Sequence, residues 1–563
     1  MFKLHLFKAF AFVIIFSSIW MFNGCEQTTT PDNNGGGNNS GSTVDHNSSI
    51  TANETWSKDK THVIDGYISI TNGTVTIEPG ATVVFKSGAS INVSTGGGLI
   101  ADGTSAKITF TGETKQSGFW DYIEFSDDAV NANCIMKNCL IEYGGGYSTS
   151  GAMLYIENNA TVSNCTIRQS LSNGVEIDDS AFPTFTGNTV TANAKSPVTA
   201  SFKNAGTIGK GTYTGNGYFY IDLSSGTIAQ NATLLKQDIA YMLNGYNAVK
   251  NATLTIEAGT TIQMNSGADL TVSTGGGLIA NGVASTNPIT FTGAQEQNGY
   301  WDYIEFEDDA VNANCQMSNC VIQYGGGYST TGAMVYIDNS PTFNNNTVQN
   351  SASYGVKIAD KARPTFTGNV IRLNTLSPVH GDFESIGYIG QGQYSGNSQD
   401  YLDIDSGTLN GNATLLKLDV PYRLNGYNLV ENGTLTINPG AVIEMNSGAD
   451  LTIGTSGGIM AQGTDNDSIT FTGAARQKGY WDYLEIQDDA ISANCVLNKC
   501  IIEWGGGYSS SGAMIYLNKS NATLTNSLIQ HSESWGIFYD NGSNPDLTGN
   551  VYNDNTLGDV KVQ

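Results

Sequence analysis

The sequence predicts an all-β solenoid, one continuous rod of short strands built from three tandem units of about 180 residues. Three observations predict it. First, only 13% of the 563 residues are charged and 67 are glycine. A quarter charged and about 7% Gly are usual, and a chain so rich in Gly, Asn and Thr does not suit helices. Second, FWDYIEFSDDAVNANC at Phe119 returns as YWDYIEFEDDAVNANC at Tyr300 and as YWDYLEIQDDAISANC at Tyr480, at spacings of 181 and 180 residues. Third, a finer period runs inside each unit. Cys139, Cys165 and Asn188 are 26 and 23 residues apart, as are Cys320, Asn346 and Asn369; Cys500, Ser527 and Asn550 are 27 and 23 apart. Short β-branched runs punctuated by Asn or Gly at such a period read as stacked coils, each unable to bury its apolar side alone.

From the N-terminus, Lys3 and Lys8 precede an apolar run, Ala9–Met21, that is too short to span a bilayer comfortably. It ends in Phe22-Asn23-Gly24-Cys25, which resembles a bacterial lipobox. The resemblance implies export, cleavage after residue 24, acylation of Cys25 and a lipid-anchored place in the cell envelope, at the outer membrane. Ordinary secretion with cleavage nearby is the other reading. Loss of residues 1–24 removes two Lys and takes the net charge from −26 to −28. Residues 25–54, rich in Asn, Gly, Ser and Thr, read as a flexible tether. The units are then 55–231, 232–412 and 413–563. The third stops about one coil after Asn550 and lacks the GTYTGNGYFYIDL-type passage that follows the others. About 22 coils at about 4.8 Å each make a rod on the order of 100 Å long. The acidic balance argues against nucleic acid, which needs a basic footprint.

The repeats TVTIEPGATVVFKSG, GGLIADGT, ITFTG, GFWDYIEF, CLIEYGGG and NCTIRQSLSNGVEI resemble the right-handed parallel β-helix of secreted bacterial proteins, the pectin-lyase-like superfold, from about Thr55 to Gln563. That resemblance implies the fold. It leaves the activity open among polysaccharide lyases, glycoside hydrolases, adhesins and surface lipoproteins.

Strand alternation assigns the faces. With Ile123 and Phe125 inside, Trp120, Tyr122 and Glu124 point out. Ile156 is expected over Ile123, Tyr155 beside Tyr122, Glu157 beside Glu124, and Asp178 beyond. The aromatic–acidic patch recurs as Trp301, Tyr303, Glu305, Tyr336 and Asp338, and as Trp481, Tyr483, Glu485 and Tyr516. Flat rings beside carboxylates suit sugars, so a glycan or surface polymer bound at three points is the expected ligand. Ordinary sheet packing is the competing account of the same residues. Stacked carboxylates in unit 1 raise the prospect of calcium; otherwise no cofactor is implied. Asp127-Asp128 and its repeats at 308–309 and 488–489 read as turn caps.

Six cysteines form C-x4-C pairs, Cys134/Cys139, Cys315/Cys320 and Cys495/Cys500, with Cys165 left over. They are either short disulfides of an exported protein or buried thiols in an inward column. No catalytic residue stands out. The places where the threefold pattern breaks (Glu176/Lys357/Phe538, Arg168/Gln349/Gln530, His380, His531) do not read as an acid–base set. The expected function is therefore a non-enzymatic, adhesin-like or glycan-binding scaffold. A polysaccharide-degrading enzyme is the alternative, and it would need a groove in one unit that the others lack.

Overall fold

The computed structural model describes residues 42–330, 332–509 and 512–563. The apolar leader and Cys25 lie outside the described residues. Ser42–Gln563 form one compact body. Strands of mostly three to five residues follow one another at turns, and every ladder between them is parallel. Thr82–Phe85, for example, pairs with Thr61–Ile64 on one side and Ile108–Gly112 on the other. The apolar member of each alternating pair points inward. Val83, Phe110, Ile141, Ile167 and Val190 stack in register as one fully buried column. Each such side chain contributes about 1.5–3 kcal/mol by leaving water.

The regularly spaced Asn residues explain the finer period. Asn188 is fully buried. Its Oδ1 accepts from the Cys165 N–H at 2.9 Å, and its Nδ2 donates to the Val162 carbonyl at 3.0 Å. Asn369 does the same with Asn346 and Phe343. A carboxamide thus satisfies backbone groups that the corner leaves unpaired. The second Asp of each acidic pair caps a turn, as expected. Asp128 accepts from the Thr95 N–H and hydroxyl at 2.7 and 2.9 Å, and Asp309 and Asp489 accept from Thr274 and Thr455.

The three units do not repeat along one side of the rod. A 14-stranded sheet carries Ile123–Phe125 and Ala152–Ile156 of unit 1, then continues through Tyr220–Ser224 into Thr261–Met264 and Ile289–Gly293 of unit 2. Ile289–Gly293 is the ITFTG strand, whose unit-1 copy, Ile108–Gly112, belongs to a different sheet. A second 14-stranded sheet carries Ile304–Phe306 and Ala333–Ile337 of unit 2, then passes into Ile469–Gly473 of unit 3. In unit 3, Leu484–Ile486 and Ala513–Leu517 lie in a third, 7-stranded sheet. Each unit is therefore advanced around the axis by one sheet position. The advance occurs in the irregular coil that opens with a short 3-10 turn, Phe202–Thr207 at the first junction and Phe383–Tyr388 at the second.

Four expectations change. The body starts at Thr43 and not at residue 55, because Thr43–His46 already pairs with Thr61–Ile64. His46, Trp56 and His62 stack near this end, with ring centroids 4.3–5.3 Å apart. The register of the acidic face is displaced by one pleat: Glu124 lies opposite Tyr155, and Tyr155 opposite Glu176. A ring thus stands between those carboxylates. Among the described residues no three His, Cys, Asp or Glu side chains gather as metal ligands.

Trp120, Trp301 and Trp481 are core residues, at most 1% exposed. The ladder begins only at Ile123, Ile304 and Leu484, so alternation does not extend back across the corner. Each indole turns inward, and its Nε1 donates to a carbonyl: Glu142 at 2.9 Å, Gln323 at 2.8 Å, Glu503 at 2.8 Å. Finally, all seven described cysteines are free. Cys134 and Cys139 open strands of two different sheets, and their sulfurs take different partners, Asn158 Nδ2 at 3.3 Å and the Ala101 carbonyl at 3.3 Å. The 315/320 and 495/500 pairs straddle the same corner in their own units.

Candidate ligand-binding niches

The expected patch loses its tryptophans and gains other tyrosines. In unit 1, Tyr122 packs edge-on against Tyr147 and Tyr155, at 5.4 and 5.5 Å between centroids. In unit 2, Tyr303 meets Tyr328 and Tyr336 at 5.5 Å each. In unit 3, Tyr483 meets Tyr508 at 5.5 Å. Tyr147, Tyr328 and Tyr508 belong to the GGGYS segments that join the coils, and they are 68–72% exposed. Single exposed rings need no explanation, since Phe219 is equally exposed, but recurrence of an exposed Tyr at the same place in all three units marks a built surface.

Backbone geometry holds the segments in place. Gly326 has φ +80°, and a Cβ there would come within 2.2 Å of Ser351 Oγ. Only glycine combines that dihedral with so close an approach. The Tyr155 and Tyr336 hydroxyls accept from the N–H groups of Ala152 and Ala333 at 2.9 and 3.0 Å. The corresponding Tyr516 is placed differently. It stacks on Phe538 at 5.0 Å, and its hydroxyl faces Asp540. Unit 3 has an open pocket of about 380 Å³ between Tyr483, Glu485, Tyr508 and Tyr516.

A fourth tyrosine flanks each niche from the preceding coil. Tyr67 lies opposite Ser90 and Tyr427 opposite Asp450; Tyr246 holds the same place in unit 2. These three are 48–57% exposed. The sequence marks the GGGYSTSGAM segment, which carries Tyr147, as a candidate binding loop because its coil is longer, with a Gly-rich corner as the competing account, but it singles out none of the six outer tyrosines. For three of them the signal was present, since a Tyr follows the GGG triplets at 144–146, 325–327 and 505–507.

The niches hold protonated phenols and reluctant carboxylates. Burial, then the neighbouring Glu124 charge, pushes Tyr122 up to about 12. Burial, then Asp450, does the same to Tyr483. These hydroxyls remain donors at any physiological pH. Burial, then Asp338, raises Glu305 to about 7, and burial, then Glu124 and Asp178, raises Glu157 to about 7. Asp338 is also raised, chiefly by burial. The buried Asp269 and Asp450 are raised to about 6, again chiefly by burial. Sites of this kind favour ligands that bring hydrogen-bond donors.

A second opening lies at the end of unit 1. An open groove of about 890 Å³ runs along the first junction, lined by Glu176, Thr199, Asp222, Tyr218 and Asn244 among others. Burial raises both Glu176 and Asp222. In unit 2 the in-register column reads Lys357, His380 and Asp403. There His380 stacks on Tyr354 at 4.7 Å, and the Tyr354 hydroxyl donates to Asp403 at 2.7 Å.

No curated protein matches this chain. A family model described as "Right handed beta helix region" matches residues 68–234 and 158–371, which together span more than half of the chain. With the parallel three-sheet coil already established, the chain belongs to the right-handed β-helix family.

Proposed function

We propose that the protein is an exported, lipid-anchored scaffold of the cell envelope that binds glycan polymers through its three tyrosine niches. The observation that carries this reading is the threefold recurrence of an exposed tyrosine beside a half-buried tyrosine and a carboxylate, on a core that needs none of those exposed rings. Sugar rings present apolar faces to aromatic rings and hydroxyl donors to carboxylates.

The sheet advance gives this binding a direction. The three niches lie in three different sheets, so they face three sides of the rod. A flat surface meets one niche at a time. A mesh of polymer chains meets all three, and the protein then cross-links it by avidity. The expected result is capture of a soluble polysaccharide from an envelope-derived panel into a sedimenting network. Tyr147→Ser, Tyr328→Ser and Tyr508→Ser combined should lower capture at least tenfold with no loss of melting temperature, because these side chains are exposed. Equal capture by wild type and triple variant would contradict the reading.

One observation favours a second reading, polysaccharide cleavage. The first junction combines a large groove with two carboxyls raised by burial, Glu176 and Asp222. They stand two rungs apart, about 9–10 Å between Cα positions, on the same face of the groove, as a pair of acid and base carboxyls requires. New reducing ends in the same incubation, abolished by Glu176→Gln, would establish cleavage in place of passive capture.

A further inference from the structure

We propose that the niches of units 2 and 3 are cation cages, and that their ligand is a glycan carrying free, protonated amino groups. This inference rests on the glycan reading above and narrows it.

The walls come first. Tyr427 and Tyr483 flank Asp450 on the rungs before and after it, with Tyr508 edge-on to Tyr483; Tyr246, Tyr303 and Tyr328 take the same places in unit 2. Ring faces attract cations through their quadrupole, and a ring of aromatic side chains is the usual solution for an ammonium group. The acidic floor comes second. In unit 3, Asp450 lies between Tyr427 of the preceding coil and Tyr483 of the following one. Asp450 and its unit-2 counterpart Asp269 are only 8% exposed. Neither is paired with Lys or Arg, and a buried unpaired carboxylate is costly.

The floor also has unused hydrogen-bonding capacity. Asp450 Oδ1 has no side-chain partner, and Asp269 Oδ1 accepts only from the Asn247 N–H, at 3.3 Å; the neighbouring Thr452 and Thr271 hydroxyls, both at most 1% exposed, face the Tyr427 and Tyr246 hydroxyls. Thr452 and Thr271 lie directly opposite Glu485 and Glu305 on the next rung. An ammonium group supplies three donors and a positive charge to these acceptors. An acetamido group supplies one donor and no charge, and leaves the carboxylate unpaired. Burial raises both Asp269 and Asp450, which fits a site that ionises fully only when a cation arrives. The net charge of −26 favours the approach of a polyamine chain and disfavours a polyanion.

Unit 1 provides the internal control. Ser90 replaces Asp269 and Asp450 there, opposite Tyr67, so the unit-1 niche has the tyrosines without the buried carboxylate.

The test is calorimetric titration of the whole protein at pH 6.5 and low salt with two probes of equal length, hexameric glucosamine and hexameric N-acetylglucosamine. The amine should bind at least tenfold more tightly, and its affinity should fall as salt is added. Asp269→Asn with Asp450→Asn should remove at least tenfold of that affinity, and Ser90→Asp should strengthen the unit-1 site. Equal affinity for the two hexamers would overturn the cation inference and leave the glycan reading standing. Binding of neither would overturn both. Amine binding unchanged in the double variant would overturn the assigned site. Tighter binding of polylysine than of hexameric glucosamine would assign the cages to protein amines and overturn the glycan class.

Discussion

Trp301→Ala is expected to destabilise the rod by about 3–5 kcal/mol, the cost of removing a large ring from a core. The ring fills the corner against Gly325, where a Cβ would come within 2.6 Å of it. Its N–H satisfies the Gln323 carbonyl, which truncation leaves buried without that donor. The loss should be local. Neighbouring coils share only their interfaces in a solenoid, so the coils around residue 301 should exchange their amide hydrogens first while distant coils stay protected. Hydrogen exchange across the chain checks this. Ligand capture per folded molecule should not change, because the indole is fully buried. An exposed, ligand-contacting indole would give the opposite pattern: lost capture with unchanged protection.

The second large effect concerns pH. This protein should gain stability as pH falls from about 8 to about 5. Glu157 and Glu305 have folded-state values of about 7, and Asp269 and Asp450 of about 6. All four lie above their unfolded values near 4. A carboxyl raised on folding binds its proton more tightly in the folded chain. The folded state therefore gains as pH falls through the folded value, and the gain is complete only below the unfolded one. With solvent screening, each group contributes on the order of 1 kcal/mol. Relief of the self-repulsion that comes with the net charge of −26 acts in the same direction. Burial lowers His46 and His62 below the ordinary imidazole value, so these two oppose the gain below about pH 6.5, but they are outnumbered by the four carboxyls. Carboxylates of the opposite kind act only at lower pH. Asp403 is one of them: burial opposes its ionisation, but hydrogen bonds from His380, Tyr354 and Asn425 prevail and hold it at about 2. Thermal unfolding across pH 4.5–8.5 should show a higher Tm at pH 5 than at pH 8. A flat profile, or one rising with pH, would contradict the buried placement of these carboxyls.

Much of the fold was legible in the sequence because it depends on periods. The inward columns of Ile, Val and Phe follow from strand alternation, and the buried Asn ladder follows from the 23-residue spacing. The errors occurred where the chain leaves the ladder. Trp120 sits two residues beyond the reach of alternation, so its inward turn was not readable from Ile123. Tyr147 was passed over because its place is set by a turn built on Gly144–Gly146. The cysteines were paired by closeness in sequence. Space instead puts Cys139 next to Cys165, its register neighbour one coil away. The advance of one sheet per unit was not readable at all. It is produced by the junction coils, and self-comparison of the sequence aligns the units without showing which side of the rod each one faces.

The measurement that tests the account most directly is the number of oligosaccharides held by one molecule, counted by native mass spectrometry with hexameric glucosamine. The account predicts three, with the site in unit 1 the weakest. Tyr147→Ser, Tyr328→Ser and Tyr508→Ser, made one at a time, should each remove one bound hexamer and leave the other two. A single bound hexamer, or a count that no niche variant changes, would contradict three separate niches and point to the first-junction groove as the site of recognition.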